Sequence, residues 1–311
     1  MPEAQRRHVL ALDFGGTKLA AAMVDLRAEL LVAQLRAPTQ HESARQNLET
    51  MIALGKSLLN EVDCKTLYGI GISFGGPLES DRRHVARSMH VPGWEGIALA
   101  DLVSKAFQLP TVMDNDANAA ALGEWRFGAG RGSNHVVYIQ ISTGIGAGLI
   151  LNRQLYRGTG LAGEFGHFTV QVDGPLCTCG KHGCVESFAA GWAIARDGRQ
   201  SATDTSDAVT AEQIVHAATA GSTFAANILA RAFTSLGIGI ANVINLLAPD
   251  LVVLGGGVSK SGDLMLRPVL QTLDVHLIPG MPRPPVVFSR LEHTATLFGA
   301  AALVEAELPL M

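Results

Sequence analysis

Residues 8–25, HVLALDFGGTKLAAAMVD, join two apolar runs through a turn built on Gly15 and Gly16, and residues 135–151, HVVYIQISTGIGAGLIL, repeat the arrangement. An apolar run, a small-residue turn and a second apolar run make a β-hairpin with a tight bend. Two such units about half a chain apart suggest two related half-molecules facing each other. Between and after them, TLYGIGISFGG (66–76) is an apolar run ending in glycines, and PDLVVLGGGVS (249–259) is a buried strand running into three more. LPTVMDNDANAAALGEWRFG (109–128) reads as a short strand, a polar turn and an alanine-rich helix, with Asp114, Asn115 and Asp116 where a cap belongs. Residues 211–247 are helical in pattern, 283–288 form a short strand and 294–308 a closing helix. Strands alternate with helices, so the class is α/β.

The length, 311 residues, suits about two domains, and a chain 48% hydrophobic and 17% charged can build a sizeable core. Net charge is -4 and the basic residues are scattered singly or in short pairs such as Arg82-Arg83, which argues against nucleic acid as a partner. The N-terminus has no apolar segment followed by a small-residue cleavage site, so no secretory signal is expected. The apolar stretches 136–151 and 232–248 are broken by Gly, Asn, Ser and Thr, and read as buried strands and a core helix, not membrane spans. The polar stretch 197–210 reads as a surface loop within a domain. A cytoplasmic protein is expected, in a compartment where disulfides are rare.

That setting bears on CTCGKHGCVE (177–186), where Cys177, Cys179 and Cys184, three of the chain's four cysteines, fall within eight residues. Clustered cysteines in a reducing compartment more often hold a metal than a disulfide. Three thiolates in a tetrahedral site need one further nitrogen or sulfur donor. Cys64, in an apolar context, reads as an inert buried thiol. GxxxxGK[ST] does not occur, and the phosphate-cradling candidates are DFGGTK (13–18), STGIGAG (142–148) and LGGGVS (254–259). The first stands out because Asp13, Thr17 and Lys18 place an anion, a hydroxyl and a cation around the turn, and a carboxylate near phosphates usually has Mg²⁺ between them.

LDFGGTK, DNDANAAALGE, STGIGAG, GEFGH, CTCGKHGCVE and LGGGVS stand in the order and approximate spacing of the ROK family of repressors, open reading frames and sugar kinases. The chain resembles that family from about residue 8 to the closing helix. The resemblance implies two RNase H-like lobes of the actin/hexokinase type around a central cleft, with 1–116 plus 294–311 as the small lobe and 117–293 as the large lobe bearing a zinc site. It implies an ATP-dependent hexose kinase acting on the terminal hydroxyl of glucose or a related sugar, or alternatively on N-acetylglucosamine or N-acetylmannosamine. Asp116 would be the base, and Gly76, Asn115, Glu164, His167 and Glu186 would join it in holding the sugar. Asp13 would hold Mg²⁺, and Gly15, Gly16, Thr17, Lys18, Thr143 and Gly144 would surround the phosphates of ATP. Gly255 and Gly256 would line the adenosine side. His167 would complete a structural Cys₃His zinc site, and the larger lobe would form a homodimer.

Family repressors carry a helix-turn-helix segment before the first glycine loop, and the dozen residues before Asp13 are too few for one. Retention of Asp116 and both phosphate loops argues against a non-catalytic sugar-binding protein. Ser142 replaces a glycine common in the family, SFGGP (73–77) lacks a proline that family members often show before glycine, and His90 replaces an asparagine in SMHVPGWEG (88–96). The last two alter the lip of the expected sugar pocket. His90 is either a substrate contact or a loop histidine.

Overall fold

Seven consecutive buried residues form strand β1 (His8–Phe14), which turns through Gly15 and Gly16 into antiparallel β2 (Lys18–Asp25), itself paired with β3 (Leu30–Pro38). Helix α1 (Ala44–Glu61), β4 (Leu67–Phe74), α2 (Leu99–Phe107), β5 (Thr111–Asn115) and α3 (Asp116–Phe127) follow. β4 lies parallel to β1 and β5 parallel to β4, giving a sheet ordered β3-β2-β1-β4-β5. The chain continues through β6 (Val136–Ile141), β7 (Ile145–Leu151) and β8 (Gln154–Tyr156), then α4 (Glu186–Ala189), α5 (Gly191–Arg199), α6 (Ala211–Thr219) and α7 (Thr223–Leu247). Strand β9 (Leu251–Gly255), α8 (Asp263–His276), β10 (Val286–Phe288) and α9 (Ala295–Glu307) complete it. The second sheet is ordered β8-β7-β6-β9-β10, with β9 parallel to β6 and β10 parallel to β9. Each sheet therefore places its third, second, first, fourth and fifth strands side by side. The same topology occurs twice, as the repeated hairpin-and-glycine pattern suggests.

The structure, a computed structural model, describes residues 8–62, 67–88, 91–199 and 209–308. Cys64, His90 and the 200–208 part of the polar stretch lie outside the described residues. The chain divides into two compact units, one of Met1–Gly132, Gly148–Ala162 and Arg290–Met311, the other of Ser133–Ala147 and Gly163–Ser289. Residues 117–132, placed by sequence with the large lobe, group with the first unit because α3 packs on α9 there.

In the first unit α1 buries Met51 and Leu58 with Leu10, Leu12, Ile70 and Ile72 of the strands. Each such side chain contributes about 1.5–3 kcal/mol on full burial. Helix α9 is apolar over most of its residues and is buried along most of its length. Its backbone comes within touching distance of two neighbours. A Cβ on Gly299 would lie 1.7 Å from the Ala119 carbonyl oxygen of α3, and one on Gly71 of β4 would lie 1.8 Å from the Ala300 carbonyl oxygen.

In the second unit the helical pattern over 211–247 is two helices and not one. Gly221 takes φ +96°, which ends α6, and the Ser222 side chain accepts from the Ala225 N–H to start α7. α7 is long and apolar enough to cross a membrane by length and composition, yet 61% of its most apolar window is buried inside the protein. It packs against α8, α6 and α4, in keeping with the core-helix reading of 232–248.

The close approach predicts a contrast between two glycines. Gly299→Ala should destabilise the protein by about 1–3 kcal/mol or more, because the clash is with backbone that cannot rotate away. Gly257→Ala, where an added Cβ meets nothing within 4 Å, should stay within about 0.5 kcal/mol of wild type. Thermal unfolding of the two variants checks this.

Candidate functional site

Parallel pairing puts chemistry at the ends of β1, β4 and β5. The register aligns Asp13 with Ser73 and Ser73 with Asp114, and one step on it aligns Phe14, Phe74 and Asn115. The residues just past these rows are Gly15, Gly75 and Asp116. The carboxyl ends of parallel strands are where open α/β sheets bind ligands. Gly75 N–H donates to the Phe14 carbonyl at 3.0 Å, which locks the two glycine turns together. Gly15 N–H donates to the Lys18 carbonyl at 3.1 Å, and Thr39 closes the turn from outside through its hydroxyl on the Gly15 carbonyl at 2.8 Å. Thr17 is the exposed residue of this turn, and Lys18 opens β2.

Asp13 is buried. Its two oxygens accept from the Ser73 hydroxyl at 2.8 Å and the Thr296 hydroxyl at 3.0 Å. Burial pushes its carboxyl above the usual carboxylate range, against the smaller lowering by those two hydroxyls and by Lys18. Ser73 and Thr296 escape the sequence reading. The first depends on strand register and the second arrives on α9, with nothing in its local sequence to announce it.

Of the three polar residues expected to cap α3, Asn115 is the N-cap, its side chain accepting from the N–H groups of Ala117 and Asn118. Its Nδ2 donates to the Gly76 carbonyl at 3.2 Å. Asp116, half-buried, opens the helix, and a Cβ on Gly75 would stand 3.8 Å from its Oδ2. Gly75, Gly76, Asn115 and Asp116 are thus one neighbourhood. Asp114 turns the other way. Its Oδ2 accepts from Arg157 Nε at 2.5 Å and lies 3.5 Å from Arg82. Its Oδ1 accepts from Asn115 N–H and Asn118 Nδ2, each at 2.8 Å.

In the second unit Thr143 and Gly144 form the bend between β6 and β7. A Cβ on Gly144 would lie 2.9 Å from Glu186 Oε2, the oxygen that accepts the Ile145 N–H at 2.9 Å. The Thr178 hydroxyl donates to the other oxygen at 3.0 Å. Glu186 therefore ties this glycine bend to the cysteine loop. Gly255 ends β9 with Tyr138 against it, and Gly256 takes φ +87°, where a Cβ would strike the Ile141 carbonyl at 2.3 Å. The packing of this unit itself demands glycine at 256, before any ligand is considered.

His167, Cys177, Cys179 and Cys184 come together with their donor atoms all within 4.8 Å of one another. Cys177 Sγ is 3.7 Å from His167 Nδ1, and Cys179 Sγ is 3.7 Å from Cys184 Sγ. A tetrahedron with metal–sulfur bonds of about 2.3 Å has edges of about 3.8 Å, so the spacing fits a zinc-sized ion. Burial, then the neighbouring thiols, pushes Cys184 up to about 12, and burial raises Cys177. A cation is what would make three thiolates compatible in one place. His167 Nε2, the other ring nitrogen, lies 3.7 Å from Glu164.

Two sheets of one topology, with carboxylates and glycine turns at the ends of their parallel strands, define a protein of the actin-like ATPase fold. Residues 9–307 match the sequence pattern of the ROK family. The chain belongs to that family. It is 35% identical to a glucokinase from Halalkalibacterium halodurans over 88% of this chain and 87% of that one. A ROK family glucokinase from Streptomyces griseus, solved in complex with glucose and AMPPNP, is 34% identical, with a TM-score of 0.84 over 96% of this chain and 99% of that one. A xylose repressor from Caldicellulosiruptor bescii is 30% identical over 78% of this chain and 64% of its own length.

The raised Asp13 has a consequence for stability. An acid whose folded pKa lies above its unfolded value, here 3.8, holds its proton more tightly when folded. The ionised carboxylate thus costs folding free energy above the raised pKa, and that cost disappears as pH falls toward the unfolded value. Asp13→Asn should melt at or above the wild-type temperature at pH 7.5 without nucleotide, and the gap should close toward pH 4. A fall equivalent to about 1 kcal/mol, roughly 2–4 °C, would contradict this.

Proposed function

We propose that the chain is an ATP-dependent hexose kinase that transfers the γ-phosphoryl group to the terminal hydroxyl of glucose or a related hexose. The observation that carries this reading is the neighbourhood of Gly75 and Gly76, just past β4, with Asn115 and Asp116 at the end of β5, on the same sheet as the buried carboxylate of Asp13 on β1. Phosphoryl transfer to an alcohol asks the protein for positioning, for charge neutralisation and for a carboxylate to take the hydroxyl proton. Asp116, half-buried at the first turn of α3, is the base. Asn115, with its amide oxygen committed to the helix cap and its Nδ2 near the Gly76 carbonyl, holds the sugar beside it.

Asp13 sits on the phosphate side. Mg²⁺, when bound, neutralises charge on the phosphates, and Asp13 has lone pairs left to hold it or its waters. The turns at 15–18 and 143–144 offer backbone N–H groups to the phosphates, and Gly255 and Gly256 keep the adenosine side free of side chains. Zinc held by His167, Cys177, Cys179 and Cys184 has four protein donors and supplies folding free energy. It also fixes the loop that carries Thr178 and Glu186. Glu164, His167 and Glu186 are the sugar's partners from this unit. A cytoplasmic homodimer completes the reading, supported by the family resemblance.

Asp116→Asn tests the reading. A positioned base is worth about 10²–10⁴ in rate, so kcat should fall by that factor while hexose affinity and the melting temperature stay near wild type. Activity within a few-fold of wild type would remove Asp116 from the role. Metal analysis of the same preparation should find one zinc per chain, and a zinc-free protein of unchanged melting temperature would overturn the structural role.

A further inference from the structure

We propose that Arg157 is a positioning residue for phosphoryl transfer, holding the strand–helix junction of Asn115 and Asp116 through the buried carboxylate of Asp114. This rests on the reading of Asp116 as the base. Asp114 is 2% exposed, and a carboxylate so far from water persists only when its charge and its lone pairs are met. The lone pairs of Oδ1 are met by the Asn115 backbone N–H and by Asn118 Nδ2. The first bond fixes the peptide through which the chain leaves β5, and the second ties the first turn of α3 back to that strand. Asp114 therefore pins the junction that presents Asn115 and Asp116.

The charge of Asp114 is met chiefly by Arg157, whose Nε reaches Oδ2 at 2.5 Å, with Arg82 farther off at 3.5 Å. Both arginines also contact Glu307 Oε1 near the end of α9, each at 2.6 Å. Among the described residues, two cations and two anions thus meet in one cluster with little net charge. The backbone of Arg157 is committed as well. Its carbonyl accepts the N–H groups of Gly160 at 2.8 Å and Ala162 at 3.2 Å. One residue therefore anchors the junction of the base and also the turn 157–162, from which the chain runs directly on to Glu164 and His167. Without Arg157, Arg82 would be the one cation left beside Asp114 among the described residues, and its pull would draw the carboxylate from the Asn115 peptide. Small misplacements of a reacting group are costly, up to about 10² in rate for about 1 Å, and they fall on kcat more than on binding.

The test is steady-state kinetics and thermal unfolding of the full chain as wild type, Asp116→Asn, Arg157→Lys and Arg157→Met. Arg157→Met should lower kcat about 10–100-fold with sugar KM changed less than about threefold. Arg157→Lys keeps the charge and loses the fork, so its kcat should fall in between, with a melting temperature close to wild type. That partial rescue is what a merely structural role would not produce. A folded Arg157→Lys with kcat within twofold of wild type overturns the inference, even if the methionine variant fails to fold. So does a kcat loss that only tracks the unfolded fraction. If wild type shows no sugar-dependent turnover, the reading of Asp116 falls too. If Asp116→Asn is inactive and the Arg157 variants turn over like wild type, only the role of Arg157 falls.

Discussion

The first unit depends on how closely α9 can lie against β4 and α3. Its backbone rests on Gly71 below and meets Ala119 through Gly299 at the side, at separations that leave no volume for a methyl group. That contact brings Thr296 to Asp13 and Glu307 to the two arginines around Asp114. A helix displaced by one side-chain layer would deliver neither. The small residues along α3 and α9 are thus conditions of the site as well as of the core.

Three carboxylates, two in the first unit and one in the second, are taken out of water in three ways. Asp13 is met by two hydroxyls, which leaves its charge poorly compensated and its carboxyl raised. Asp114 is met by two guanidiniums and by neighbouring N–H donors. Glu186 is met by an amide and a hydroxyl that belong to two separate loops. The differences match the tasks proposed for them. An undercompensated carboxylate attracts a cation, a compensated one is a fixed point, and one shared between loops couples them. Asp116, the proposed base, differs from all three in keeping partial contact with solvent at the start of its helix.

Much of this was legible in the chain. The two hairpins declare themselves by apolar runs around glycines, and the thiol cluster by its spacing alone. Asn115 as a helix cap follows from residue type. The place of His167 in the cluster came from resemblance, since ten residues separate it from Cys177. Ser73, Thr296 and Arg157 were not legible, because their roles arise from strand register and from pairings across 60, 283 and 43 residues. The break between α6 and α7 was hidden for a different reason: alanine and isoleucine continue the helical period on both sides of it, and a single glycine with positive φ decides the matter. Asp114 looked like a cap because its neighbours do cap. Only the arginines that surround it show otherwise.

The most direct measurement is coupled release of ADP from ATP and Mg²⁺ by the wild-type protein over a panel of glucose, mannose, fructose, N-acetylglucosamine and N-acetylmannosamine, with the phosphorylated sugar identified by NMR. Turnover that requires a hexose, yields one ADP per sugar phosphate and places the phosphate on the terminal hydroxyl is the expected result. Nucleotide and sugar binding without turnover, or ADP release indifferent to every sugar, would contradict it.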